Sequence, residues 1–489
     1  MRPDKHTESM GAVAALLTAM AAGAVGAMAG SAGHGVPALW LTAAAATALF
    51  LGARAVTGHW SSLAVLCCGF FAIYGLSGPV HALMGGHLAE LFTWPYRTSA
   101  FLVQQGVATI GLAAGLLAAM HRVPDDGDAA GTRQAPGNAS IPLSIALGCL
   151  ATASVMELTT LVRVGGLAVI ALGKAEYQSR ASALLLTLPS DEVAALGIAL
   201  LALWFSVRRG RLGTTQRRLV ILAASGAALP VVGIAIALGR RGPLFSWVLI
   251  GVIGVTMYQP LRRLSRRIVA LGTTLVFASG LLFASRAAIA FGIASGDWQP
   301  LRQAITNRQR LVTSINPAES EFGAAFGNFS EYAHRGDMPP RLGTTYVEGL
   351  ATLVPGFLYP GEKPVQITYE FRDRFFPSEA ARGDVAGTGF SSILEAYLNL
   401  GTAGVLIMYA LVGVLLCALE QWRHRPPYGP LAYLLLVPFT QSLHRSALSV
   451  VLGGGLLVIY LLIAVRLSLL ARQMVSEGGR RGGLAPVVP

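Results

Sequence analysis

The feature that most constrains this chain is a recurring apolar stretch about as long as a bilayer is thick. Such stretches lie near 10–30, 36–56, 60–80, 100–120, 141–162, 188–207, 219–239, 243–259, 268–292, 394–419, 430–443 and 447–470. A helix needs roughly 20 predominantly apolar residues to cross the hydrocarbon core, where every backbone N–H and C=O must be satisfied internally. The pattern predicts an all-α polytopic membrane protein with about 12 transmembrane helices. Of the 489 residues, 54% are hydrophobic and only 12% charged, against roughly 25% charged in an average soluble domain. So few charges cannot cover a water-facing exterior, which excludes a soluble globular fold.

Lys and Arg outnumber Asp and Glu by 37 to 24. No basic helix or stacking aromatic stripe accompanies that excess, so nucleic acid is not an expected partner. The basic residues sit instead in short clusters between spans. Taken alternately from the N-terminus, one set of segments holds twenty of them and the short segments between hold seven. The bias predicts both termini in the cytoplasm. Gly11 to Gly30 is long enough to span, so it reads as a retained first helix rather than a cleaved signal. Residues 1–292 would carry nine spans, 293–388 one large extracytoplasmic loop, 389–470 three further spans, and 471–489 a cytoplasmic tail. Within the loop, 298–313 and 319–334 read as short helices split by Asn316-Pro317, and Thr344 to Val354 as an apolar turn or surface helix. Residues 123–139 read as a disordered cytoplasmic linker. Cys67, Cys68, Cys149 and Cys417 all fall inside apolar spans without ligand spacing, so neither a disulfide framework nor a zinc site is indicated.

Four constellations carry potential chemistry. Arg240 and Arg241, in the turn Gly239-Arg240-Arg241-Gly242-Pro243, suit a phosphate or pyrophosphate because guanidinium donates in pairs and stays charged; they also suit a snorkelling interfacial pair. Glu395 and Asn399, four apart at the entry to the tenth span, share a helix face. A carboxylate there either has a partner or task, as a base or sugar ligand, or complements the helix dipole. His444-Arg445 lies between the last two spans, fit for phosphate binding or proton movement or for a plain interfacial role. Glu157, with Thr159, Thr160 and Arg163 close behind, is either a ligand-contacting acid or the partner of Arg163. The sequence has no Walker-type GxxxxGK[ST] and no HExxH, so neither ATP-driven transport nor a zinc hydrolase is expected. The first outer loop, Ser31-Ala32-Gly33-His34-Gly35, holds no acid, which weakens a dolichol-phosphate-sugar type of glycosyltransferase.

The run Thr345-Tyr346-Val347-Glu348-Gly349-Leu350, then Pro355-Gly356, a Phe/Arg-rich stretch and GTGFSSILEAYLNLGTAGV resembles the Wzy-type oligosaccharide repeat-unit (O-antigen) polymerases. The GRRGPLF turn fits the same family, and the likeness covers about 239–405. It implies a glycosyltransferase of the bacterial inner membrane that extends a glycan carried on undecaprenyl pyrophosphate at the outer face. The sugar–pyrophosphate bond supplies the energy, so no cofactor or metal is implied. Motif positions carried over are Arg240, Arg241, Glu395, Tyr397 and Asn399; Arg341, His444 and Arg445 join them on position and chemistry alone. The expected roles are catalysis for Glu395 and His444, and substrate binding for Arg240, Arg241, Arg341, Tyr397, Asn399 and Arg445. Implied partners are the lipid-linked oligosaccharide and membrane lipid, with a chain-length regulator and a flippase as companions. Two rivals stand beside this reading: a lipid-linked oligosaccharide flippase or other transporter, and a ligase that moves finished glycan to another acceptor. Transporters of that size usually show two similar halves and mid-membrane charges, whereas here the one large loop is off-centre and mid-span charges are few; acceptor identity separates polymerase from ligase.

Overall fold

A computed structural model describes residues 5–83, 95–123, 142–172, 189–208, 211–258, 295–307, 321–336, 338–354, 359–381, 390–423 and 428–448, with scattered positions at 176–177, 180–181, 425, within 270–292 and within 451–467. Among these residues the regular structure is helical, with no strand. The helices used below are α1 (Lys5–Ser31), α2 (Gly35–Thr57), α3 (Leu63–Leu83), α4 (Pro95–Ala119), α5 (Leu143–Val164), α6 (Ser190–Arg208), α7 (Thr214–Ala237), α8 (Arg241–Val255), α9 (Gln299–Thr306), α10 (Glu321–Arg335), α11 (Thr344–Leu353), α12 (Ile367–Phe375), α13 (Ser392–Trp422), α14 (Gly429–Leu435) and α15 (Val437–Arg445).

Eight of these carry an apolar stretch long enough to cross a bilayer, in α1 to α7 and α13. The chain is therefore an all-α polytopic membrane protein. The eighth expected span is the shorter Gly242–Val255, and the twelfth is described only as the apolar piece Val458–Leu467. The ninth, 268–292, falls mostly outside the described residues. The expected eleventh span, 430–443, comes out as two short helices, α14 and α15, that meet at Leu436. Pro438 lies in the first turn of α15, where its missing N–H costs nothing; one turn later it would break the ladder, so the helix restarts there.

α13 packs along α4 at near backbone contact. A Cβ on Gly115 would lie 2.0 Å from the Ala410 carbonyl oxygen, one on Gly111 2.4 Å from that of Leu406, and one on Gly413 2.6 Å from that of Leu112. Small residues four apart let two helices approach without lipid between them, so dispersion and weak backbone contacts replace a hydrophobic drive that lipid cannot supply. Replacing Gly115 with valine is expected to destabilise the protein by about 1–3 kcal/mol or more, because the facing atom is backbone and cannot swing aside. A lowered melting temperature in detergent would register this; an unchanged one would contradict the close approach.

The large loop is folded into the bundle. The second short helix expected there, 319–334, is described as α10, and the first, 298–313, as Gln299–Thr306, with 308–320 outside the described residues. Phe326 and Phe329 of α10 are buried against Phe101 of α4, with ring centroids 5.3 and 5.6 Å away. Gly78 of α3 makes room, since a Cβ there would lie 2.5 Å from Phe326. The Phe/Arg-rich stretch forms α12, whose buried Phe371 stacks on Phe375 at 4.4 Å and meets Phe390, just before α13, at 5.3 Å. Burying such rings contributes about 1.5–3 kcal/mol each, which ties loop helices to spans that are far away in sequence.

Candidate functional site

Of the expected site residues, Glu395, Asn399, Arg341 and His444 come together where the loop meets the start of α13. Ser391 caps this helix, its side chain accepting the Leu394 N–H at 3.2 Å. Glu395 and Asn399 follow on one face, as their spacing requires, and both are buried. Glu395 Oε1 accepts the Thr345 hydroxyl at 3.0 Å, and Oε2 accepts the backbone N–H of Leu448. Asn399 Nδ2 donates to Thr345 Oγ1 at 2.7 Å and to the Glu395 carbonyl at 2.8 Å, while its Oδ1 accepts the Gly343 N–H at 2.9 Å. One carboxylate and one amide thus join three distant segments: α13, the turn before α11, and the chain after α15.

α13 breaks one residue beyond Asn399. Leu400 has φ −135°, ψ 19°, and Gly401 φ 62°, ψ −151°, a region that glycine alone enters readily. At the break the Leu398 and Asn399 carbonyls accept the N–H groups of Arg341 and Leu342 at 2.8 and 3.1 Å. Leu342 is forced to φ 49° and its side chain is exposed. A non-glycine residue in that left-handed region costs about 1–3 kcal/mol, offset here by the Asn399 contacts on both sides of it. The result is a rigid turn that presents Arg341, whose Nη2 forms a partly exposed ion pair with Glu370. Beside it Tyr346 is half-buried; burial first, then the Glu395 carboxylate, raises its phenol pKa against a lesser opposing hydrogen bond to Asn399. It therefore remains a hydroxyl donor at neutral pH. Tyr397 points to the loop instead, its ring 5.6 Å from Phe329 and 6.2 Å from Tyr332.

His444 lies next door, since Ser392 Oγ donates to the Leu443 carbonyl and also, at 3.2 Å, to that of Ser446. It is buried in an aromatic wall of Phe71, Tyr74 and Tyr409, with ring centroids 5.6, 6.3 and 6.2 Å away. Its Nε2 lies 3.1 Å from the Cys67 carbonyl and donates to it, which leaves Nδ1 as an acceptor 3.5 Å from the Tyr409 hydroxyl. These groups line a small cavity together with Gln105, Ser391 and Ala325. Arg445 is half-buried.

The Arg240 turn approaches the same wall through α8. Phe245 packs edge-on against Phe70 at 5.8 Å and joins a cluster with Tyr74, Phe322 and Ala325. Arg240 itself is already engaged: Nη2 lies 2.5 Å from Glu157 Oε1 and Nη1 3.3 Å from Asp191 Oδ2. Glu157 therefore pairs with Arg240 and not with Arg163, which is exposed. The side chain of Arg241 is outside the described residues.

Two sets of residues escape a reading of the sequence. Thr345 sits in a quoted motif, yet only the fold shows its hydroxyl bridging Glu395 and Asn399. At the other end of α13, Glu420, Arg423, His59 and Tyr433 form a buried polar cluster. Arg423 Nη2 donates to the Met257 carbonyl at 3.0 Å, Nη1 lies against the His59 ring, and the guanidinium sits 5.5 Å over Tyr433. Glu420 Oε1 accepts the Leu63 N–H at 3.1 Å and the Tyr433 hydroxyl. The one sequence signal was an acid and an arginine three apart at a span end.

No curated protein and no solved structure matches the chain significantly. A family model does: residues 364–476 match O-antigen polysaccharide polymerase Wzy. The match covers Glu395, Tyr397, Asn399, His444 and Arg445, and leaves the Arg240 turn and Arg341 outside it. The family match overlaps the resemblance read from the sequence over 364–405, which holds α12, Glu395, Tyr397 and Asn399, and runs on through α14 and α15.

Proposed function

We propose that the protein polymerises oligosaccharide repeat units carried on undecaprenyl pyrophosphate, by glycosyl transfer on the outer face of the bacterial inner membrane. Both termini then lie in the cytoplasm and 293–388 is the extracytoplasmic loop. The observation that carries the reading is the coincidence of the family match with the buried hub around Glu395 and Asn399. Support also comes from arginines gathered at the ends of spans where a lipid-borne anion would arrive.

In this reaction the acceptor hydroxyl oxygen attacks the anomeric carbon of the donor glycan. A new carbon–oxygen bond forms as the bond to the phosphate oxygen breaks, and the electron pair leaves with the lipid pyrophosphate. Arg240 and Arg241 meet that developing charge, with Arg341 and Arg445 as a second cationic pair. The hydroxyl proton passes to a base, for which we assign His444 through Nδ1, the nitrogen that does not donate to Cys67 and that faces the Tyr409 hydroxyl. Glu395 has both oxygens occupied within the protein, so it acts on the reaction chiefly by holding Thr345 and the chain at Leu448. Asn399 likewise holds Thr345 and Gly343, and Tyr397 braces α10. Fixing two membrane-bound substrates against such a frame turns a diffusional encounter into an oriented one.

The test is incubation of the purified full-length chain with a lipid-pyrophosphate-linked repeat unit, without nucleotide or metal, followed by electrophoresis of the glycan. A ladder spaced by one repeat is expected. Transfer only to a different acceptor would favour a ligase. No transfer, together with movement of the lipid-linked unit across liposome membranes, would overturn the reading in favour of a transporter.

A further inference from the structure

We propose that Glu157, assisted by Asp191, is a positioning residue that aims the Arg240 guanidinium at the donor pyrophosphate. This rests on the polymerase reading above and deepens its assignment of Arg240. An arginine on a turn between two spans has four rotatable side-chain bonds and, left alone, snorkels toward the nearest water. Arg240 does not: its side chain is 12% exposed and is held at two nitrogens by acids from two other helices, Glu157 of α5 and Asp191 of α6.

Glu157 is itself fixed from three directions. It is buried, Oε2 accepts the Ser190 hydroxyl, and Oε1 accepts the Tyr177 hydroxyl at 2.9 Å as well as Arg240 Nη2. Burial, followed by the Glu157 carboxylate, raises the Tyr177 phenol pKa, so it stays a donor at neutral pH. Its ring faces the guanidinium at 6.0 Å. Asp191 is steadied in turn, because Trp247 of α8 donates to its backbone carbonyl at 3.2 Å. A locked carboxylate of this kind fixes the plane of a guanidinium and so decides which edge it offers a ligand.

The pairs with Glu157 and Asp191 use two of the five N–H groups that a guanidinium carries. The buried Nε donates to no described group. With Nε buried, one N–H on each Nη nitrogen remains for a ligand, held in the plane that the two acids fix. The two acids outweigh the single cation, so what Arg240 supplies to the leaving group is directed hydrogen-bond donors. Recognition then depends on donor geometry, and on the neighbouring Arg241 for charge.

The experiment measures chain-extension rate against concentration of the lipid-pyrophosphate-linked repeat unit for wild type, Glu157→Ala, Glu157→Gln, Arg240→Gln and the double variant Glu157→Gln/Arg240→Gln. The expected result is a KM raised about tenfold or more in Glu157→Ala, with a smaller change in kcat, as befits loss of binding geometry. Glu157→Gln should stay within about threefold of wild type, because its amide oxygen still accepts from Arg240. In the Arg240→Gln background the Glu157 change should add nothing, since its only route to substrate is gone.

The double variant removes both members of the buried Glu157–Arg240 pair and leaves only the partly exposed Asp191 carboxylate, so it controls for folding. A wild-type KM in Glu157→Ala, or an equal penalty from the Glu157 change with and without Arg240, would overturn the proposal. A wild-type KM in Arg240→Gln would overturn it too, by removing Arg240 from the donor site. The polymerase reading would survive that result, because the wild-type ladder tests it separately.

Discussion

Replacing Glu395 with alanine is expected to lower chain extension to about 1% of wild type or less, at matched amounts of folded protein. The reasoning begins with what the carboxylate holds. Removing it leaves the Thr345 hydroxyl and the Leu448 N–H without their acceptor. Each buried donor stripped of its partner costs about 1–3 kcal/mol. The loss falls on the contacts that set the Arg341 turn and the approach to His444, so it is felt in orientation before it is felt in global stability. A loss of about 2.7 kcal/mol in transition-state positioning is a hundredfold in rate. Glu395→Gln is expected to lie between the two, because its oxygen still accepts from Thr345 while its NH2 faces the Leu448 N–H. Gel ladders from the three proteins decide it. Polymer of normal length and yield from Glu395→Ala would remove this residue from the reaction.

The largest effect on stability is expected at the opposite end of the same helix. Arg423→Ala would leave Glu420 buried beside His59 without the guanidinium that compensates it. Breaking one side of a buried ion pair costs about 3–5 kcal/mol, far more than an exposed pair is worth. The hydrogen bond to the Met257 carbonyl and the packing on Tyr433 go with it. Thermal unfolding in detergent should show a large drop, and replacing Glu420 and Arg423 together with leucine and methionine should recover much of it. An Arg423→Ala melting curve that overlays the wild type would sink the idea that this cluster closes the bundle.

Much of the architecture was legible because a bilayer imposes its own length on a helix. α2, α3, α5, α6 and α7 appear close to where their apolar stretches begin and end. The break between α14 and α15 was harder to foresee, since hydropathy does not register one missing N–H at Pro438. The likeness to the polymerases was legible from the run through Glu395, Tyr397 and Asn399, and the family match falls on that run.

Partnerships were less legible. Glu157 and Arg240 are 83 residues apart, and nothing local to Glu157 distinguishes that arginine from Arg163. Arg423 reads in sequence as one more basic residue at a span end, yet it is almost wholly buried. Helical spacing reports which residues share a face. It is silent on what another helix brings to that face.

The break in α13 has a mechanical consequence. Glu395 and Glu420 are about 37 Å apart along the helix at 1.5 Å per residue, and each is fastened to neighbouring segments. A rod nailed at both ends cannot move as a piston, so sliding along the membrane normal is closed to it. Gly401 is the joint that remains, and the ties to the Thr345 segment, from Glu395 and Asn399, lie before it. In the proposed reaction, a growing glycan that pulled on the Arg341 turn would therefore flex the short segment from Ser392 to Asn399 about this joint. The longer segment after Gly401 would stay where the Glu420 cluster anchors it, and strain from each added repeat would be absorbed within two helical turns of Glu395.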